Sequence, residues 1–196
     1  MSLIEVYPIA AISPELWRNG GGVTRTIAAK SAQWRVSLAS IERNGPFSRF
    51  PGMSRVSLIL SGEGVTLSSK DTVVELRPMV ARDYDGDVDW DAVLVDGPAQ
   101  ALNVMSAKGR YRAAARLVVE PVTVRPGCMA IVIALDEGCN FSEGPSTRTP
   151  AIVPGNVLVS EDHAYPIQLA PPVGTGGRQP YAVLVTIEPD GVLTHI

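Results

Sequence analysis

The sequence predicts an all-β fold with little helix. No stretch of twelve residues shows helical periodicity without a glycine, a proline or a run of β-branched residues. The 18 glycines and 16 prolines are spread along the chain rather than gathered in a linker. Short alternating segments separated by such residues are typical of strands joined by frequent chain reversals.

The first half contains a series of short predicted strands. Residues 3–12 read as a first strand, which Pro8 breaks and which we expect at a sheet edge because proline cannot donate to a ladder. Trp34–Ala39 alternates between two faces. Residues 56–67 read as a hairpin that turns at Gly62-Glu63-Gly64. Further strands are predicted at 71–76 and 101–105.

A second series of strands follows from Tyr111 and repeats the order of the first. These strands are predicted at 117–124, 129–135, 151–153, 156–159, 165–169 and 181–187. Residues 56–67 have their counterpart in 129–141, which indicates a duplicated architecture rather than a short repeat. At 196 residues, the length fits two small barrels packed as one unit. We predict an N-terminal barrel at 1–109 that carries the site and a structural C-terminal barrel at 110–196.

Three polar and glycine-rich motifs precede residue 56. They are W-R-N-G-G-G-V-T-R at 17–25, W-R-V-S-L-A at 34–39 and G-P-F-S-R-F-P-G-M-S-R at 45–55. A phosphate-binding loop at the glycine triplet is disfavoured, because the β-branched residues that follow cannot supply a helix N-terminus. The triplet instead predicts a tight turn that needs positive φ.

Together and in this order, the three motifs resemble the HutD/Ves family. The resemblance implies a bicupin, which consists of two RmlC-like jelly-roll barrels, here without the usual metal histidines. It also implies a bacterial role in histidine utilisation. The segment Asn103-Val104-Met105 is similar to the strand that ends the first barrel of the family. Ala101 stands where family members commonly have Asp, and this departure weighs against carrying over any acid-dependent chemistry.

Charge and hydropathy exclude several classes of partner. The net charge is −3 and the basic residues are scattered, so we expect no nucleic-acid partner. No apolar run approaches the roughly 20 residues needed to span a bilayer, and no signal-like segment follows Met1, so we expect a cytoplasmic protein without a membrane partner. Cys128 and Cys139 read as packing residues. The sequence is compatible with a homodimer and does not fix the oligomeric state.

Metal and nucleophilic chemistry are disfavoured by the scarcity of histidine. A metal cupin needs about three imidazoles and a carboxylate, whereas this chain has only His163, in a predicted turn, and His195. No G-x-S-x-G elbow is present. The acidic segment 82–91 lacks the spacing of a calcium loop and reads as solvated turn aspartates. We therefore predict no metal and no cofactor.

An arginine-bearing pocket in the N-terminal half is the remaining candidate site. The planar guanidinium of arginine suits a carboxylate, and an asparagine there would donate a hydrogen bond to an amide or formyl oxygen. The predicted ligand-binding residues are Asn19, Arg25, Arg35, Ser37, Arg55 and Asn103, and the predicted lining residues are Trp17, Phe47 and Met105. The alternatives are that the arginines face water and that the aromatic residues fill the core.

Two functional classes follow from this pocket. The first is a metal-free binding protein for a small carboxylate metabolite, and the family association points to N-formylglutamate or a related intermediate of histidine degradation. The second is a metal-independent isomerase or hydrolase acting on such a compound. The nearest carboxylates, Glu42 and Glu63, fit exposed turns. A buried titratable group beside Arg35 or Arg55 would favour the enzyme.

Overall fold

The computed structural model describes residues 4–145, 149–174 and 179–191, and within them the predicted all-β fold is confirmed. The only helical element in these ranges is a 3-10 turn at Ile9–Ala11. None of the described helical residues forms a segment long and apolar enough to cross a membrane.

The first twelve strands are β1 Ile4–Pro8, β2 Glu15–Leu16, β3 Gly22–Lys30, β4 Trp34–Ile41, β5 Gly45–Phe47, β6 Met53–Ser61, β7 Val65–Ser68, β8 Val73–Leu76, β9 Arg82–Asp85, β10 Trp90–Leu94, β11 Ala99–Ala107 and β12 Tyr111–Val118. The remaining strands are β13 Val122–Val124, β14 Met129–Ala134, β15 Cys139–Glu143, β16 Ala151–Ile152, β17 Asn156–Ser160, β18 Ile167–Ala170 and β19 Ala182–Pro189.

The chain divides into two compact units, and the division differs from the predicted cut near residue 110. One unit, called the site unit below, comprises Ile12–Ala115 with the segment that begins at Pro189. The second unit combines the N-terminal segment up to Ala11 with Arg116–Glu188. The N-terminal segment belongs there because β1 pairs with β17 from Ile4↔Ser160 to Pro8↔Asn156. A single cut through the sequence cannot assign a strand whose partner lies about 150 residues away.

The site unit consists of two antiparallel sheets. The larger has the strand order β2-β3-β4-β11-β6-β9, and the smaller has β5-β10-β7-β8. The hairpin predicted for residues 56–67 is wrong, because β6 pairs with β11 and β9 whereas β7 pairs with β10 and β8. The positive φ angles of Gly62 (90°) and Gly64 (122°) turn the chain from one sheet into the other.

The second unit repeats this architecture. Its sheets have the orders β1-β17-β14-β19-β12 and β13-β18-β15-β16, so β14 and β15 step between sheets as β6 and β7 do. β1 lies at a sheet edge, as Pro8 predicts. Cys128 and Cys139 are buried free thiols in this unit and contribute to its core.

Each unit has its own apolar core. In the site unit the buried side chains include Ile41, Ile59, Leu67, Leu76 and Trp90. Burial of a leucine or isoleucine side chain stabilises a fold by about 1.5–3 kcal/mol. This core holds the two sheets of the site unit together and adjoins the cavity at Phe47.

The glycine triplet forms the predicted tight turn into β3. Gly20 has a φ of 64°, and its N–H donates to the carbonyl oxygen of Trp17 at 3.0 Å. Gly22 is required for a different reason, since a Cβ added there would lie 2.2 Å from the backbone oxygen of Ser40. β3 and β4 therefore approach each other at a distance that only glycine permits.

Candidate functional site

The polar residues of the candidate site form two rows across the larger sheet. In one row the register aligns Asn103 of β11 with Ser37 of β4 and Ser57 of β6. In the next row Met105 lies between Arg35 and Arg55. Because side chains two residues apart share a face of a strand, both rows project to the same side of the sheet. The convergence of three strands predicted from the sequence is present.

A small cavity of about 50 Å³ lies against these rows. It is lined by Trp17, Thr24, Arg35, Ser37, Ala39, Phe47, Ser48, Phe50, Arg55, Asn103 and Met105. At about 10–15 Å³ per water-sized group, the cavity has room for roughly three to five heavy atoms. That is the size of a carboxylate with at most two further heavy atoms.

Arg55 is a buried cation in an aromatic cage. Its side chain is 3% exposed, and its guanidinium carbon lies 4.7 Å from the ring centre of Phe47, 5.1 Å from that of Phe50 and 4.9 Å from that of Tyr84. Cation–π contacts of this kind attract a desolvated guanidinium to the ring faces. Its Nη1 donates to the carbonyl oxygen of Ser48 at 3.0 Å.

No carboxylate among the described residues pairs with Arg55, and its Nε is buried without a hydrogen-bond partner. Burial lowers the pKa of Arg55 from its ordinary value, while the neighbouring Tyr84 opposes this shift. Arginine nevertheless remains protonated in proteins. The cavity therefore contains a positive charge that the described part of the chain leaves uncompensated.

Arg35 differs from Arg55 because a carboxylate of the protein itself, that of Glu15, lies beside it. Its Nη2 donates to Thr26 Oγ1 at 2.8 Å and lies 3.7 Å from Glu15 Oε2. Thr26 in turn donates to Glu15 Oε1 at 3.3 Å. The Nε of Arg35 is buried and, within the described residues, unpaired. One face of Arg35 is therefore occupied at the cavity mouth, and Nε is left unsatisfied.

A hydrogen-bond relay behind the cavity fixes the orientation of Asn103. Ser57 Oγ donates to Asn103 Oδ1 at 2.6 Å and lies 2.9 Å from Tyr84 Oη. Because the single serine proton is used toward Asn103, the tyrosine hydroxyl donates to Ser57. The amide oxygen of Asn103 is thus occupied, and its NH₂ group is left to donate to a ligand in the cavity.

Phe47, Ser48 and Phe50 form one wall of the cavity, and an adjoining turn holds their segment in place. Phe50 N donates to Gly86 O at 2.8 Å, and Gly52 N donates to Asp87 Oδ1 at 2.7 Å. Lys108 Nζ lies 2.5 Å from oxygens of both Asp85 and Asp87. These aspartates belong to the acidic segment predicted to form a solvated turn, and they serve to fix the wall.

The cavity opens into a groove of about 710 Å³. Both spaces share Trp17, Thr24, Arg35, Phe47, Ser48 and Phe50 as lining residues. Trp17 and Phe47 meet edge to face at the boundary, with ring centres 5.9 Å apart. Trp17 Nε1 donates to Thr24 Oγ1 at 2.7 Å. A ligand can thus place a small head group in the cavity and its remainder in the groove.

Seven of the nine predicted site residues line the cavity, and two do not. Asn19 lines only the outer groove, where its Oδ1 accepts from Gly21 N at 2.9 Å, so it stabilises the glycine turn. The prediction that Arg25 lies at the site is wrong. Arg25 pairs with Leu38, whereas its neighbours Thr24 and Thr26 pair with Ala39 and Ser37, so strand alternation directs Arg25 to the opposite face.

The site also includes residues that the sequence did not identify. Thr24, the neighbour of Arg25, lines the cavity, because β3 pairs it with Ala39 on the cavity face of β4. Glu15 and Tyr84 lie outside the three motifs and reach the site through strand pairing, since β9 places Tyr84 opposite Arg55 and β2 places Glu15 opposite Thr24. No local signal in the sequence marks these two positions.

The described histidine lies outside the site. His163 is buried in the second unit, where its Nε2 lies 2.9 Å from the carbonyl oxygen of Arg125. His195 lies outside the described residues. Within the described ranges, no group of three or more His, Cys, Asp or Glu side chains is placed to hold a metal ion. Glu42 and Glu63 are exposed, as predicted for turn positions.

The buried hydroxyl of Tyr84 gives a testable pH dependence. Burial raises its pKa above the ordinary value of 10.0, which Arg55 and Ser57 only partly offset. Because the folded pKa exceeds the unfolded one, the stabilisation by the neutral hydroxyl is complete below about pH 10 and is lost as the pH rises toward the folded pKa. We expect Tyr84→Phe to show a shallower fall in the free energy of unfolding as the pH rises above about 10.

Chemical denaturation at several pH values measures this effect. The control is Tyr165→Phe, at an exposed tyrosine of the second unit, which should follow the parent curve. An equally steep fall in the Tyr84→Phe variant would contradict the assigned pKa shift.

Comparison with known proteins supports one family. The family model described as HutD matches residues 10–171. Protein Ves from Escherichia fergusonii is 31% identical over 181 residues, covering 81% of this chain and 93% of that protein. The structure of HutD from Pseudomonas fluorescens SBW25, in its formate condition, superposes with a TM-score of 0.77 at 21% identity, covering 96% of this chain and 100% of that one.

A more distant likeness supports the cupin-like fold. A variant of oxalate decarboxylase from Bacillus subtilis superposes with a TM-score of 0.60 at 9% identity, covering 94% of this chain and 77% of that one. Together with the all-β sheets, these structures show the cupin-like jelly-roll fold.

Proposed function

We propose that this chain, which belongs to the HutD family, binds the carboxylate group of a small metabolite in the cavity of the site unit. The observation that carries the proposal is Arg55, whose buried guanidinium has no carboxylate partner among the described residues and whose Nε is unpaired. A buried unpaired charge is destabilising unless it meets an anion. A carboxylate in the cavity supplies that anion.

The geometry around Arg55 suits one planar anion. A guanidinium binds a carboxylate through charge-assisted hydrogen bonds that are stronger than those between neutral groups. Asn103, held by Ser57, adds an NH₂ donor from the neighbouring row. The rings of Phe47 and Phe50 exclude water, which strengthens the electrostatic attraction inside the cavity.

The proposed ligand class is the carboxylate intermediates of histidine degradation, with N-formylglutamate as the first candidate. The resemblance to the HutD/Ves family supports this choice. N-formylglutamate exceeds the 50 Å³ cavity, so one carboxylate would enter it while the rest lies in the groove. Such binding would let a cytoplasmic protein modulate histidine utilisation.

Ligand binding is tested by calorimetry and thermal unfolding with formate, acetate and N-formylglutamate. Acetamide, which matches acetate in shape without its charge, is the control ligand. We expect the carboxylates to bind and to raise the unfolding temperature, because a ligand at about 100 times its Kd stabilises the folded state by about 2.7 kcal/mol. Equal responses to acetate and acetamide would refute the proposal.

A metal-independent enzyme is the second candidate, and Tyr84 is the observation that favours it. This buried titratable hydroxyl lies beside Arg55, as the enzyme alternative requires. Tyr84 is not among the cavity-lining residues, and its raised pKa keeps the proton in place at neutral pH. These two facts favour binding. Proton NMR of N-formylglutamate incubated with the protein distinguishes the two, since hydrolysis with water would release formate and glutamate.

A further inference from the structure

Glu15 is the one acidic side chain that approaches a cavity arginine among the described residues. It belongs to the two-residue strand β2, whose pairing with β3 places it opposite Thr24 at the groove. Its two carboxylate oxygens contact Arg35 Nη2 and Thr26 Oγ1, at 3.7 and 3.3 Å. Glu15 thus occupies the outer face of Arg35, where a second anionic group of a ligand would bind.

The net charge that a ligand meets therefore differs between the two arginines. Arg55, at the closed end, lacks a carboxylate partner among the described residues, whereas Glu15 balances Arg35 at the mouth. The Glu15 side chain is 64% exposed and that of Arg35 is 30% exposed. An exposed ion pair of this kind is weak. Glu15 can be displaced, but a competing carboxylate must overcome it.

We propose that Glu15 is an internal competitor for Arg35 and sets the charge selectivity of the site. A monocarboxylate reaches Arg55 without disturbing Glu15. A dicarboxylate gains a second contact at the outer face of Arg35, through Nη2, only by displacing the Glu15 carboxylate and tolerating its negative charge nearby. Wild-type protein thus admits a second carboxylate, such as that of N-formylglutamate, into the groove, but binds it less tightly than a site without the Glu15 charge would. This inference rests on carboxylate binding at Arg55.

The test compares acetate with the dicarboxylates succinate and glutarate by calorimetry at constant ionic strength. In Glu15→Gln we expect the affinity for the better dicarboxylate to rise by about five-fold, the range of an exposed ion pair. The affinity for acetate should change by less than about two-fold, since Arg55 is untouched. The matched control is Glu75→Gln, which removes the same charge from an exposed pair with Arg77.

A second variant identifies the group that Glu15 blocks. In the double variant Glu15→Gln with Arg35→Met, the dicarboxylate gain should disappear. The inference is overturned if Glu15→Gln leaves the dicarboxylate affinity unchanged, if it raises acetate and dicarboxylate affinities equally, or if the gain persists without Arg35. Failure of acetate to bind the wild-type protein would refute the proposed function itself, and this inference with it.

Discussion

Replacing Arg55 by methionine should weaken carboxylate binding by at least about 30-fold and leave the fold at least as stable as before. Truncation of one partner of a buried charge pair costs about 2–5 kcal/mol of binding free energy. At about 1.4 kcal/mol for each factor of ten, affinity should fall by about 30-fold to several thousand-fold. Arg35 keeps its place in such a variant, but its outer face remains in contact with Glu15.

The stability of the same variant follows from the burial of Arg55. Holding a cation out of water opposes folding by several kcal/mol per ion, even after the surroundings relax. Methionine fills a similar space between Phe47, Phe50 and Tyr84 with no charge to desolvate. The lost bond to Ser48 and the lost cation–π contacts offset part of this gain. We expect a free energy of unfolding that is unchanged or about 1–2 kcal/mol higher.

Calorimetry with acetate and denaturant unfolding measure the two quantities on one preparation. Arg77→Met is the control, because Arg77 is 66% exposed and pairs with Glu75 outside the cavity. That variant should bind acetate as the parent does. Near-parental acetate binding by Arg55→Met would show that the cavity is not the anion site.

Replacing Gly22 by alanine should destabilise the site unit by about 3 kcal/mol, at the upper end of the usual range for overpacking. The added Cβ would stand 2.2 Å from the backbone oxygen of Ser40, and 3.3 Å from the indole of Trp17. A backbone oxygen cannot rotate away as a side chain can. β3 and β4 must therefore separate where the cavity wall begins.

Denaturant unfolding again provides the measurement, with Gly191→Ala as the control. Gly191 has no heavy atom within 4 Å of an added Cβ, so that exchange should change stability by less than about 0.5 kcal/mol. A Gly22→Ala protein as stable as the parent would mean that the strands accommodate the methyl group without separating.

The fold class and the face of β4 could be predicted because both are local properties. Glycine and proline set the strand lengths, and alternation assigns Arg35 and Ser37 to one face and Trp34 to the other. Arg55 and Asn103 are predictable from the sequence, because Arg55 ends the third motif and Asn103 lies in the segment similar to the family's barrel-ending strand. The pairing of β11 with β4 and β6 brings the cavity-facing sides of these three strands together.

The predictions are wrong or incomplete where the position of a residue depends on which strands pair. Arg25 is the predicted residue of β3, but the register of β3 against β4 directs its neighbour Thr24 to the cavity instead. Glu15 and Tyr84 join the site through β2 and β9, which lie outside the motifs in sequence. The boundary was misplaced for the same reason, since β1 finds its partner in β17. A single sequence contains no direct record of these pairings.

The alignment of the site residues across β4, β11 and β6 determines which sequence changes can alter ligand preference during evolution. Backbone hydrogen bonds fix each position, so exchanging one side chain alters one contact point and leaves the others in place. Insertion of a single residue into β11 would instead bring Leu102 and Val104 to the cavity and carry Asn103 and Met105 to the opposite face. Ligand preference can therefore drift by substitution within the strands, whereas changes of length are confined to the turns.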